Sequence, residues 1–102
     1  MKALITFATA ATLALGANFA LARDLGPDEA LRLRDAGTIM SFDKLNEVAL
    51  KQHPGATIGD TELEEEYGRY VYEVEVRDAK GVEWNLKIDA ASGELMKNHQ
   101  DD

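Results

Sequence analysis

Two stretches, Tyr70-Val71-Tyr72-Glu73-Val74-Glu75-Val76-Arg77 and Val82-Glu83-Trp84-Asn85-Leu86-Lys87-Ile88-Asp89, alternate apolar and polar side chains almost without a break. A period of two is the signature of a strand buried on one face. Tyr70, Tyr72, Val74 and Val76 share one side, and Val82, Trp84, Leu86 and Ile88 share one side. Both rows must face the same core. Even positions then pair with even ones, so the connecting loop holds an odd number of residues. A three-residue loop, Ala79-Lys80-Gly81, meets that condition with Gly81 in the left-handed position. It sets Val76 opposite Trp84, Val74 opposite Leu86, Arg77 opposite Glu83 and Glu73 opposite Lys87. A five-residue loop would oppose Glu75 and Glu83, so charge selects the shorter one.

Upstream, Ser41 is a good cap for a helix starting at Phe42, where Phe42, Leu45, Val48 and Ala49 make one apolar stripe. Pro54 ends it. A strand follows over Thr57 to Glu66, with Thr61 and Leu63 on one side and Asp60, Glu62, Glu64 and Glu66 on the other. Ile58 has the wrong parity for the core, and a bulge near Gly59 repairs it. The turn at Tyr67-Gly68 is a two-residue loop with Leu63 opposite Tyr72, although Tyr67 fits positive φ poorly; a four-residue loop keeps the same parity. Before the capped helix, Pro27 to Asp35 reads as a short helix stopped by Ala36-Gly37. The prediction is an α+β domain: one amphipathic helix on a three- to four-stranded antiparallel meander, with a short helix before it. Glu94 to Lys97 could add the last strand, and residues 98–102 read as a disordered tail.

Lys2, the uncharged run from Ala3 to Gly16 and Ala20-Leu21-Ala22 have the pattern of a cleaved secretory signal over residues 1–22. The run is shorter than the roughly 20 apolar residues of a membrane span. The expected product is periplasmic or secreted, with no stable membrane insertion after cleavage near Ala22. Its N-terminal segment is 23–40 and its main domain 41–97. Loss of Lys2 leaves ten basic against 19 acidic side chains, a formal charge of −9. Such a chain repels nucleic acid and anionic lipid. There is no cysteine to form a disulfide. A core of this size supplies no more than about 3–5 kcal/mol, and a homodimer is one way to add buried area.

Little in the sequence carries chemistry. Ser41 reads as a cap, Ser92 as a turn residue, and His53 as an edge-of-core or C-terminal capping residue, so no catalytic residue is assigned. With no cysteine and no H-x-x-x-H, zinc has no site. Carboxylates two apart on a strand lie about 6.7 Å apart, too flat a stripe to wrap calcium, so neither metal nor cofactor is expected. What remains is an acidic outer face. Glu62, Glu64 and Glu66 on one strand adjoin Glu73 on the next. Such a face keeps a small exported domain soluble, and it is also a docking surface for a basic patch on a protein partner. These four are the candidate partner-binding residues.

The order of these parts resembles the PepSY domain (peptidase propeptide and YpeB family). The resemblance rests on His53-Pro54-Gly55 after the helix, the alternating strand from Tyr70, and the close Asp89-Ala90-Ala91-Ser92-Gly93-Glu94-Leu95, and it covers about Ser41 to Lys97. It implies a small stand-alone exported protein, not an enzyme, that modulates a peptidase by protein–protein contact. Two other roles stay open: an accessory that binds a sensor's periplasmic domain in a two-component system, or a small ligand- or cation-binding protein. The family has no catalytic motif to carry over.

Overall fold

The computed structural model describes residues 22–101. The expected signal segment lies outside that range except for Ala22. In chain order the elements are β1 (Ala22–Asp24), α1 (Pro27–Asp35), α2 (Phe42–Gln52), β2 (Thr57–Glu66), β3 (Arg69–Arg77), β4 (Glu83–Asp89) and β5 (Leu95–Gln100). All five strands form one antiparallel sheet, each beside its neighbour in sequence. The class is α+β as expected, but the sheet has five strands where three or four were predicted.

The central hairpins follow from face parity. Val76 lies opposite Trp84, Val74 opposite Leu86, Glu73 opposite Lys87 and Arg77 opposite Glu83. Gly81 closes the β3–β4 loop at φ +83, and the Asp78 N–H donates to the Val82 carbonyl at 2.8 Å. On β2 the register shifts between Ile58 and Thr61, the bulge that brings Ile58 back against the core. The first hairpin takes the two-residue loop, with Leu63 opposite Tyr72 and Glu66 opposite Arg69. Tyr67 accepts φ 53 there, beside Gly68 at φ 79. Two positive-φ residues in sequence make the primed turn whose twist suits a hairpin.

α2 covers the inner face. The Ser41 hydroxyl accepts from the Lys44 N–H at 3.3 Å, satisfying one orphan donor of the first turn. Leu45 and Ala49 are wholly buried, together with Val74, Val76, Leu86 and Ile88. Burying a side chain such as Leu45 contributes about 1.5–3 kcal/mol. Phe42 meets Tyr72 with ring centroids 6.0 Å apart, and the Tyr72 hydroxyl donates to Asn46 Oδ1 at 2.8 Å. Two further ties hold the helix entry. The Met40 N–H donates to the Ala90 carbonyl at 2.8 Å. Gly93, at φ +79, leaves so little room that a Cβ there would lie 2.9 Å from Met40 Sδ.

One end of the chain adds an element and the other corrects an expectation. Residues 22–24 form β1 against Glu64–Glu66; three residues carry no readable period, and the strand is held from outside by Arg23, which bonds Glu29 of α1 at 3.1 Å and Glu65 of β2 at 3.1 Å. The tail predicted to be disordered over 98–102 instead continues β5 to Gln100, paired with β4. Its side chains are exposed, so backbone hydrogen bonds along the sheet edge make this strand without any apolar pattern to announce it.

Candidate functional site

Among the described residues no helix lies on the outer face of the sheet, and alternation puts the acidic residues there. Glu62, Glu64 and Glu66 come from β2 and Glu73 from β3, with Glu62 directly opposite Glu73. The structure divides these four predicted residues. Glu64, Glu66 and Glu73 gather around Lys87 of β4. The Lys87 ammonium lies 3.1 Å from Glu66 Oε2 and 3.9 Å from Glu73 Oε2. That bond to Glu66 is the main reason the Lys87 pKa is raised, against the opposing effect of burial. Glu62 sits apart, near Asp24 of β1; its carboxylate, that of Asp24 and that of Glu64 lie within 4.8 Å of one another.

Glu64 is the joint between the two groups. Its Oε1 is buried and accepts no hydrogen bond. Its cross-strand neighbour is Val71, which is wholly buried on the outer side of the sheet although its parity is that of the charged face. Burial is the first cause that lifts the Glu64 carboxyl to about 7; the charge of Glu73, a hydrogen bond shared with Glu73 and the charge of Glu66 add to it, and Lys87 opposes it. Val71 interrupts the polar row of β3, and that one apolar residue was the available signal.

A second carboxylate group, Glu75, Glu83 and Asp101, lies at the far end of the same face. Glu83 is already paired with Arg77 at 2.6 Å, and its charge is the leading reason the Glu75 pKa is raised. Either group offers a cation three carboxylates, short of the six or more oxygens calcium takes.

His53 caps the end of α2, as expected. Its ring lies against the Trp84 indole with centroids 4.3 Å apart, and its Nε2 is 2.8 Å from Asn98 Oδ1. Trp84 Nε1 donates to Asp78 Oδ2 at 3.0 Å, while Asp78 Oδ1 accepts from the Lys80 and Val82 N–H groups at 2.9 Å. The indole bond is the first cause that lowers the Asp78 pKa. These contacts brace the β3–β4 loop. The two serine hydroxyls are engaged locally, Ser41 with Lys44 and Ser92 with the Glu94 N–H, so among the described residues no nucleophile is aligned with an imidazole.

The third feature is a groove of about 470 Å³ on the inner side, between α1, α2 and the exposed edge of β2. Leu31 of α1, 42 % exposed, lines it. It depends on β1 and α1 and was not foreseen, because those elements carry little pattern.

A family model described as the peptidase propeptide and YPEB domain (PepSY) matches residues 39–99. The match runs from buried Ile39 to the end of the sheet and omits β1 and α1. An uncharacterized protein of Bacillus subtilis (strain 168), YkoJ, is 37 % identical over 60 residues, covering 59 % of this chain and 35 % of the relative. The matched stretch thus spans about a third of that relative's length. No solved structure matches the chain.

Proposed function

We propose a function on one premise: the chain belongs to the peptidase propeptide and YPEB domain family. Domains of this family are generally non-catalytic propeptide or regulatory domains, typically of extracellular or secreted proteins. On that premise the protein is an exported binding domain that modulates a peptidase by protein–protein contact, through the face carrying Glu62, Glu64, Glu66 and Glu73. The observation that carries this reading is the outer sheet face, which no helix covers among the described residues and on which Glu64, Glu66 and Glu73 gather around Lys87 with Glu62 standing apart beside Asp24. A face so charged steers a basic partner surface and raises the rate of encounter. Among the described residues no helix is long and apolar enough to cross a membrane.

The test is direct. The purified protein is titrated into peptidase assays of the envelope fraction of its own cell. The reading expects one activity to fall in proportion to protein added. A protein that binds and slows none of them removes the peptidase as target.

One observation favours a second reading. Asp24, Glu62 and Glu64 converge closely enough to attract a divalent cation, with water completing the shell. Calcium that raises the melting temperature in the wild type, and not in a Glu62→Gln variant, would support cation binding.

A further inference from the structure

β2 has a vacant lane beside it. The Leu25 N–H donates to the Leu63 carbonyl at 2.8 Å, and the chain then leaves the sheet through Gly26 into α1. In an antiparallel strand the N–H and C=O of one residue point the same way, and residues two apart repeat that direction. Thr61 therefore turns both groups toward the lane that β1 has left. Among the described residues no strand fills it, and Thr61 is exposed.

The two faces beside this lane differ in chemistry. On the inner side lies the groove, with Leu25, Ala30, Leu31, Phe42 and Leu63 in its lining. On the outer side stand Asp24 and Glu62, which also reach the groove rim. Neither has an ion-pair partner among the described residues.

We infer that this lane takes an extended segment of a partner protein, of pattern basic–apolar–basic, as an added strand beside Thr61. The pattern follows from the pleat. A residue opposite Thr61 points its side chain to the inner face, into the groove, and its own N–H and C=O toward Thr61. Its two neighbours point outward, one opposite Glu62 and near Asp24, the other opposite Asp60, which lies beside Glu75 on that face. Backbone pairing supplies the register and the alternate side chains supply the selectivity. The lane is short, because the bulge between Ile58 and Thr61 bends the edge away on one side. Binding is therefore weak and reversible for a single segment. The inference rests on the partner-binding reading above and adds to the acidic face a second, separate contact on β1, α1 and the β2 edge, where the family match supplies only part of the surface.

The probe is the blocked peptide Thr-Lys-Leu-Lys-Thr, titrated into the isotope-labelled protein and followed by amide and methyl NMR. Shifts are expected to centre on the Thr61 amide and the Leu31 and Leu63 methyls. A peptide with N-methylated leucine, or with glutamates for the lysines, should bind at least about tenfold more weakly, since each loses one of the two recognition elements. Leu31→Glu should cost about tenfold as well, and its partial exposure makes it a safe variant for folding. Absence of shifts overturns the proposal. So do equal affinity for the N-methylated peptide, shifts centred on Glu66 and Glu73, and shifts that grow with protein concentration alone, which would assign the edge to a second copy. A peptidase inhibited equally by wild type and Leu31→Glu sinks the groove but keeps the regulatory reading. Peptide binding without peptidase inhibition does the reverse.

Discussion

Lys87 on β4 reaches across β3 to Glu66 on β2, and its ammonium lies 3.1 Å from Glu66 Oε2. The pair is largely shielded, with side-chain exposures of 28 % and 23 %. Removing the lysine leaves three carboxyl groups facing one another. Lys87→Met is expected to lower stability by about 1–2 kcal/mol in urea denaturation. The double change with Glu66→Gln should recover part of that loss, because it removes a carboxylate left without its cation.

Glu64 gives the protein a pH dependence of unusual sign. Its carboxyl titrates at about 7 in the fold against an ordinary 4.5. A carboxyl raised in the folded state favours folding fully below the unfolded value and loses that contribution as pH climbs through the folded one. Thermal melts should therefore show wild type losing stability between about pH 5 and pH 8 relative to Glu64→Gln. The variant should be the more stable at pH 8, by on the order of 1 kcal/mol after solvent screening. Parallel curves would show that Glu64 is ionised throughout.

Tyr67 holds φ 53 in the β2–β3 turn while 76 % exposed. The ring therefore returns little burial for the strain. Tyr67→Asn makes an Asn-Gly pair, the residues this turn type prefers. It should stabilise by roughly 0.5–1 kcal/mol, as other relieved positive-φ sites do, and denaturant midpoints measure it.

Much of the fold was legible before any coordinates. The loop from Ala79 to Gly81 followed from parity and from the charges on Glu75, Glu83, Arg77 and Lys87. The bulge near Gly59 followed from the misplaced Ile58. The ends were not legible, since β1 is three residues tied by Arg23 to Glu29 and Glu65, and β5 beyond Lys97 is polar. The site suffered for that. Without β1 there was no reason to bring Asp24 to Glu62 and Glu64, and the groove under Leu31 had no wall. Parity also hid Val71, which is buried on the charged face directly opposite Glu64.

Gly93 is expected to resist replacement. Gly93→Ala meets an unfavourable φ of +79 and places Cβ 2.9 Å from Met40 Sδ. The loss should be about 1–3 kcal/mol. The Met40→Ala change in the same chain should not restore it, because the backbone conformation stays costly after the thioether is gone.

The central claim is that the acidic sheet face carries the partner contact, and capture from an envelope extract tests it most directly. Wild type is compared at low and moderate salt with a variant in which Glu62, Glu64, Glu66 and Glu73 are all glutamine and whose fold is checked by its melt. The account predicts a partner held by wild type, released as salt rises, and lost from the variant. Equal capture of the same protein by both forms would contradict it.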